Sequence, residues 1–534
     1  MKIVGQIPRV NGSDLSYAEF REKYMMRNEP VILTGLMDGW RACTDWVSQD
    51  GRPNLSFFSQ HCGNSLVQVA DCDRKEFTDQ KRIEMTVSKY IEYWHNLDSQ
   101  RHDMKRDGSS LLYLKDWHFV KEFPGYISYT TPKFFMDDWL NLYLDNFHMH
   151  GFQAVNAGSE SEVSCSDYRF VYMGPKGTWT PLHADVFRSY SWSANICGKK
   201  VWHFLSPSQS HLLYDRYMNG SSFDANFLSC RYMKHTVYDI YGDVCAKQFP
   251  GFFETSWLEC VQERNEIIFV PSGWYHQVKN VEDTISINHN WFNACNISWV
   301  WNLLVKDYNE TKEYIEDIRS IADDFESLCQ RNLAANTGMN FNDYFVFISR
   351  MALANVIQLI DILDFRRNSM EPSEVETVQQ LLFNLASICD VAKKLETIDY
   401  FDGYSREHTF DLQETSVLCA NLEISKDLKI HELKESLKEK YSFFHNVNVA
   451  NTSADLVDEV ENNGRNSIFQ GSEKKRFLKT NEREITFSDE IFSVMLKDHS
   501  TEKYRVNIVN PQHLVQIINN IITSAKERAH GVVT

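Results

Sequence analysis

The length, composition and charge of the chain limit what kind of protein it can be. Its 534 residues exceed one ordinary hydrophobic core and indicate two domains. A formal net charge of -18 argues against nucleic acid as a partner and suits a protein partner better. The twelve cysteines are scattered without a C-x-x-C pair, which indicates neither a zinc ribbon nor a disulfide framework. Because no signal peptide or apolar run of ~18 residues is evident, we expect a cytoplasmic protein, with the nucleus as the alternative, that does not insert into membranes.

A change in composition near residue 300 predicts a domain boundary. All thirteen tryptophans lie at or before Trp301, whereas only five of the 22 glycines and two of the twelve prolines follow it. We therefore expect one domain over residues 1–300 and a second region over residues 301–534.

The first 300 residues are predicted to begin with mixed elements and to continue as a β-domain. "DLSYAEFREKYM" predicts a helix capped by Asp14, and "EPVILTGL" predicts a strand that ends in a turn. Further along, short apolar runs alternate with turn residues, as in "RFVYMGPKGTWTPLH", "GKKVWHFLSPSQ", "NEIIFVPSGWYHQVKN" and "DTISINHNWF". This alternation is typical of antiparallel strands.

Beyond residue 300 the apolar residues follow a helical period. "NDYFVFISRMALANVIQLIDILDF" and "PQHLVQIINNIITSAKERA" each predict an amphipathic helix, the second with proline at its start. The stretch around residues 451–484 is polar and has little periodicity, which predicts a linker. We therefore expect an all-α C-terminal region interrupted by this linker.

Three residues of the β-domain have the types and spacing of a metal site. His183 and Asp185 are two residues apart, so in a strand both side chains would point to the same side. His276 follows a Pro-Ser-Gly turn between two predicted strands, which would return the chain to the same place. Two histidines and one carboxylate are typical of a non-haem Fe(II) centre, which leaves coordination positions for a co-substrate and O2.

Two further residues indicate the co-substrate. Lys200 lies inside the apolar strand "GKKVWHFL", where an ammonium group is costly unless it meets an anion. Thr180, three residues before His183, offers a hydroxyl group near the same place. A dicarboxylate that chelates iron at one end and meets Lys200 and Thr180 at the other fits this arrangement, and 2-oxoglutarate is such a molecule.

The sequence around these residues resembles the JmjC family of Fe(II)- and 2-oxoglutarate-dependent oxygenases. The resemblance rests on residues 183–207 ("HADVFRSYSWSANICGKKVWHFLSP") and 265–292 ("NEIIFVPSGWYHQVKNVEDTISINHNWF"), together with "NEPVILTGLMDGWRA", "LLYLKDW" and "TPKFFMDDW". It covers roughly residues 5 to 300. The fold that it implies is of the α+β class: a double-stranded β-helix, or cupin-like JmjC barrel, with flanking helices, followed here by the all-α C-terminal region.

The resemblance also implies a role for each candidate residue. His183, Asp185 and His276 would hold Fe(II) and be the catalytic residues, while Lys200 and Thr180 would bind the distal carboxylate of 2-oxoglutarate. With O2, the family converts 2-oxoglutarate to succinate and CO2 while it hydroxylates a C–H bond of its substrate.

Two more residues are assigned by the resemblance, and one position departs from it. Tyr113, in "LLYLKDW", and Asn288, on the strand after His276, would contact or line the co-substrate site. Relatives often have asparagine after the tryptophan of the middle strand, whereas this chain has Ser193, so either its hydroxyl or the nearby Asn195 would have to serve.

The resemblance implies a protein hydroxylase as the first expectation for function. It is greatest to a small JmjC hydroxylase, which implies that the substrate is a lysyl carbon of the eukaryotic translation termination (release) factor. A JmjC histone lysine demethylase is the alternative, and an inactive barrel that serves as a scaffold and a zinc hydrolase are weaker ones. The sequence predicts neither the oligomeric state nor the role of the C-terminal helices.

Overall fold

The structure, a computed structural model, describes residues 1–102, 110–149, 167–215, 236–365, 372–401, 408–419 and 505–533. The chain divides into two compact units, Met1–Tyr344 and Phe345–Thr534. The first unit therefore continues past the compositional change near residue 300, as far as Tyr344.

Two mixed sheets form the centre of the first unit. The smaller sheet has the strand order β1-β11-β10-β13-β8, and the larger has the order β2-β3-β12-β9-β14-β7-β6-β4-β5. Nearly all neighbouring strands are antiparallel; β1 with β11 and β2 with β3 are parallel pairs. The strands are β1 Lys2–Gln6, β2 Arg9–Asn11, β3 Val31–Thr34, β4 Leu66–Glu76, β5 Asp79–Thr86, β6 Leu112–Trp117, β7 Arg169–Gly174, β8 Trp179–His183, β9 Tyr190–Cys197, β10 Lys200–Leu205, β11 Ser256–Gln262, β12 Ile267–Val270, β13 Tyr275–Asn280 and β14 Thr284–Trp291.

Apolar side chains hold the two sheets face to face. Ile32 and Ile268 of the larger sheet form one buried cluster with Trp202, Phe204 and Val278 of the smaller sheet. A second, larger cluster packs the outer side of the larger sheet against the N-terminal helices. Strands β9 and β12 are buried along their whole length because both faces of each strand are covered. The predicted double-stranded β-helix with flanking helices is confirmed.

Helices flank the sheets of the first unit and make up most of the second. The first helix is capped by Ser16, whose side chain accepts from Glu19 N in a capping box, and not by Asp14 as predicted. The helices are α1 Tyr17–Phe20, α2 Ala42–Asp45, α3 Leu55–Cys62, α4 Val87–His102, α5 Phe119–Glu122, α6 Trp139–Asn146, α7 Ile297–Tyr314, α8 Phe325–Thr337, α9 Phe341–Phe365, α10 Pro372–Leu395, α11 Leu412–Cys419 and α12 Pro511–Val533.

The described part of the second unit is helical except for one strand pair. The apolar positions predicted for α9 are buried, and so are those predicted for α12 except the half-buried Ile522, as a period of 3.6 residues requires. His408–Asp411 (β15) and Arg505–Ile508 (β16) form a two-stranded antiparallel sheet, so the all-α prediction missed two short strands. Strands of four residues carry too little alternation to be recognised. The predicted linker around residues 451–484 lies outside the described residues.

One segment of α9 has the length and hydropathy of a membrane-crossing helix. This segment, Phe341–Ile360, has a mean hydropathy of 1.3, and 78% of its most apolar window is buried within the protein. Core helices of folded domains share these properties.

Candidate metal and co-substrate site

Strand pairing brings the two candidate histidines together. His183, at the end of β8, lies directly opposite His276 on β13, and their ring centroids are 4.3 Å apart. Asp185 joins them: one ligand atom from each of the three side chains lies within 4.8 Å of the others. In the part of the chain that the structure describes, no other group of three or more such side chains could hold a metal ion.

Asp185 reaches this place by a turn and not by strand alternation. β8 ends at His183, and Asp185 precedes a short helical turn, Val186–Arg188, in which Phe187 and Arg188 have positive φ angles of 54° and 52°. Such left-handed residues cost energy and are held by their surroundings. Ser191 Oγ donates a hydrogen bond of 2.7 Å to Asp185 Oδ2, which orients the carboxylate.

Both histidines present the same ring nitrogen to this centre. Nδ1 of His183 lies 2.8 Å from Pro181 O, and Nδ1 of His276 lies 3.1 Å from Trp274 O. Because a carbonyl only accepts, each Nδ1 carries a proton, which leaves Nε2 as the ring nitrogen available to a metal. Burial, aided by His276, lowers the pKa of His183 to about 4, so its ring is neutral at neutral pH, the form that binds metals.

Lys200 is a buried cation at the other end of the same strand pair. It lies opposite Asn280 on β13, four residues from Phe204, which is opposite His276. Its side chain is only 2% exposed, and no carboxylate in the described residues pairs with it. Its Nζ donates to Ser286 Oγ at 2.6 Å and to a tyrosine hydroxyl at 3.5 Å. Burial lowers the pKa of Lys200 to about 7, so the amine is about half protonated at neutral pH, and no carboxylate of the described residues offsets that charge.

A bulge turns Thr180 to the same face of the sheet. Residues three apart in a regular strand point to opposite sides, but the register between β8 and β13 shifts by one residue between His183 and Thr180. Thr180 therefore lies opposite Val278, whose side chain packs in the cluster between the sheets. The residue is half-buried, and its hydroxyl forms no hydrogen bond within the described residues.

Tyr113 is placed beside Lys200 by the close approach of two strands. It is 2% exposed on β6, and its hydroxyl is the one that lies 3.5 Å from Lys200 Nζ. Burial raises the pKa of Tyr113, so its hydroxyl stays protonated and can donate to an anion. Gly174 on β7 makes room for the ring, since a Cβ there would lie 2.5 Å from Tyr113 Cδ2.

Asn288 and Ser193 line the same interior from the larger sheet. They lie opposite each other on β14 and β9, and Asn288 Nδ2 donates to Ser286 Oγ at 3.1 Å. In the described part of the chain, neither Ser193 Oγ nor Asn195 Oδ1 has a hydrogen-bond partner, although both are buried. The position that departs from the family thus faces the interior with a free hydroxyl group.

Two functional residues escaped the sequence reasoning. Ser191 orients Asp185, and Ser286 accepts the hydrogen bond of Lys200. Strand alternation could have indicated Ser286, because it lies two residues before Asn288 on the same strand. No comparable signal exists for Ser191, whose role depends on the turn that precedes it.

The donor set suits a divalent iron ion and a 2-oxo dicarboxylate. Two imidazoles and a carboxylate match the ligands of non-haem Fe(II). A buried ammonium without a counterion, with hydroxyl groups beside it, matches the distal carboxylate of the co-substrate. The two groups of donors lie at opposite ends of one strand pair, β10 with β13.

Comparison with known proteins agrees with this chemistry. A family model described as a cupin-like domain matches residues 17–297. Arginine-specific demethylase JMJ20 of Arabidopsis thaliana is 56% identical over 420 residues, 78% of this chain and 84% of the relative. Two proteins named 2-oxoglutarate and iron-dependent oxygenase JMJD4 are also similar. That of Gallus gallus is 34% identical over 436 residues, which cover 82% of this chain and 90% of the relative. That of Danio rerio is 37% identical over 343 residues, which cover 64% of this chain and 73% of the relative. The chain therefore belongs to the JmjC, cupin-like family and is a 2-oxoglutarate- and iron-dependent oxygenase.

Proposed function

We propose that this oxygenase hydroxylates a side-chain carbon of a lysine in the eukaryotic translation termination factor. The support is the resemblance on which the sequence expectation rests and the similarity to oxygenases named JMJD4. The observation that carries the oxygenase chemistry is the geometry of one interior, with the three metal-ligand candidates at one end and the buried cation Lys200 at the other.

In this proposal each residue of the site has a separate role. His183, Asp185 and His276 hold Fe(II), which supplies the oxidation of a C–H bond when 2-oxoglutarate and O2 are bound. Lys200 and Thr180 hold the distal carboxylate of 2-oxoglutarate and so orient its other end toward the metal.

Buried aromatic side chains line the interior between Lys200 and the metal end. Trp202 and Phe204 lie on β10 between Lys200 and the metal end, each with its ring centroid 5.6 Å from that of His276. Both are almost fully buried. An interior that excludes water strengthens the attraction between the ammonium of Lys200 and a carboxylate.

Demethylation of N-methylarginine is a second candidate function. The specific observation in its favour is the 56% identity to a relative named arginine-specific demethylase. The chemistry differs only in the carbon attacked, because a hydroxylated N-methyl group is lost as formaldehyde. The choice therefore lies with residues that bind the substrate and not with the metal centre.

Mass spectrometry of treated substrates separates these functions. The Fe(II)-loaded protein is incubated with 2-oxoglutarate, O2 and either full-length release factor or histone peptides methylated on arginine or lysine. We expect the release factor to gain the mass of one oxygen atom on a lysine, and His183→Ala to abolish that gain. Loss of methylene masses from a peptide, with an unchanged release factor, would assign demethylation instead.

We further propose a cytoplasmic location, where such a substrate resides. Fluorescence microscopy of the tagged full-length chain tests it. Predominantly nuclear signal would contradict the location and favour a histone substrate.

A further inference from the structure

A second buried cation, Lys115, lies in the same interior as Lys200. It is on β6 two residues after Tyr113, so both side chains point inward, and its Nζ is 5.9 Å from the centroid of the Tyr113 ring. The side chain is only 2% exposed. Its charge also acts on His183, where it adds to the effects of burial and His276 in lowering the pKa of that ring.

Lys115 is closer to the metal end than Tyr113 is. β6 pairs with β7, β7 with β14, and β14 with β9. Followed across these pairs, the direction from Tyr113 to Trp117 along β6 leads toward Ser191 on β9. Ser191 is the residue that orients Asp185. β6 also contains a bulge between Leu114 and Trp117 directly beside Lys115. Bulges near functional sites redirect side chains.

The ammonium of Lys115 is incompletely partnered. Within the described residues its one hydrogen bond is to Gln80 Oε1, at 3.3 Å, and it forms no ion pair. The nearby carboxylates of Asp79 and Asp116 bind Arg82, at 3.2 Å and 2.8 Å, and attract Lys115 only from beyond ion-pair distance. An ammonium has three donors, so two remain for a ligand. A buried cation with free donors indicates an anionic ligand.

We propose that Lys115 binds the metal-side carboxylate of the 2-oxo acid, so that the co-substrate is held by one cation at each end. Lys200 meets the distal carboxylate, and Lys115 meets the carboxylate next to the 2-oxo group. A basic target side chain would be repelled by Lys115, which favours the co-substrate over the substrate as its partner.

Two ligands that differ only at the distal end test this assignment. The dissociation constants of 2-oxoglutarate and 2-oxopentanoate, which lacks the distal carboxylate, are measured by calorimetry on the Mn(II)-loaded full-length protein. We expect Lys115→Met to weaken both ligands by a similar factor of about 10 to 100. Lys200→Met should weaken only 2-oxoglutarate, and Lys199→Met, an exposed neighbour, should weaken neither.

The result is independent of any protein substrate. Unchanged affinity for both ligands in Lys115→Met would overturn the proposal and assign Lys115 to the substrate or to bracing β6. Weakening of 2-oxoglutarate alone would also overturn it, because Lys115 would then act at the distal end. Mn(II) affinity and thermal unfolding of the ligand-free variants check the fold. If Lys115→Met does not fold, Lys115→Gln, which is polar but uncharged, must give the same pattern.

Discussion

Replacing Lys200 by methionine should stabilise the ligand-free protein while it weakens co-substrate binding. Burial lowers the pKa of Lys200 from 10.5 to about 7, so the unfolded chain binds the proton more tightly than the folded one. The resulting penalty on folding is greatest below pH 7 and disappears above the unfolded pKa. At pH 7 it is about 4 kcal/mol. Methionine fills a similar volume without charge and removes this penalty.

The expected net gain is smaller, because the variant also loses a hydrogen bond. Ser286 Oγ no longer accepts from Nζ at 2.6 Å, which costs about 1–3 kcal/mol. We therefore expect the variant to be more stable than the wild type by about 1–3 kcal/mol without ligand, a rise of a few degrees in Tm. The matched control is Lys199→Met. The side chain of Lys199 is 41% exposed and lies near Glu263 and Glu282. Its replacement should change the free energy of unfolding by less than about 0.5 kcal/mol.

Adding 2-oxoglutarate should cancel or reverse the stability advantage of the variant. At about 100 times its Kd the ligand stabilises the wild type by about 2.7 kcal/mol. The variant has lost a buried charge pair worth about 3–5 kcal/mol and should gain almost nothing. Denaturant unfolding of the metal-loaded proteins, with and without 2-oxoglutarate under anaerobic conditions, measures both effects. A variant that is less stable without ligand and equally stabilised by it would refute this reasoning and make Lys200 a structural residue.

Three further predictions concern the same site. The affinity for 2-oxoglutarate should fall about tenfold from pH 6 to pH 8, as Lys200 loses its proton through a pKa of about 7; calorimetry across this range would show a flat profile if the ammonium were not needed. Gly174→Ala should destabilise the protein by about 1–3 kcal/mol, because the new Cβ would lie 2.5 Å from Tyr113 Cδ2; unchanged urea unfolding and 2-oxoglutarate affinity would contradict this. Ser191→Ala should lower the Mn(II) affinity about 10- to 100-fold by releasing Asp185, and an unchanged titration followed by electron paramagnetic resonance would show that the turn alone orients the carboxylate.

The sequence was sufficient for the fold and for predicting that His183, Asp185 and His276 come together in it. Strand alternation and turn residues predict the sheets because one face of each strand must be buried, and this pattern is local. Lys200 was recognisable because an ammonium in an apolar strand is costly. His183 and His276 were recognisable because their residue types and flanking turns are local features too.

Details that depend on register or on turns were not predictable. Asp185 is placed by a turn with two left-handed residues, and Thr180 by a bulge, and neither feature has a local pattern. Strand alternation places Ser286 on the inner face of its strand, but its contact with Lys200 joins strands of different sheets 86 residues apart and could not be predicted. Lys115 was overlooked because its burial depends on the packing of β6 and not on its neighbours in sequence.

The most direct test of the central claim is anaerobic titration of the Fe(II)-loaded protein with 2-oxoglutarate, followed by visible absorption. A 2-oxo acid that chelates iron held by two histidines and one carboxylate gives a weak charge-transfer band. The account predicts that this band forms in the wild type, is absent in His183→Ala, and requires far more 2-oxoglutarate in Lys200→Met. No band in the wild type, or an unchanged band in His183→Ala, would contradict the assignment of the site.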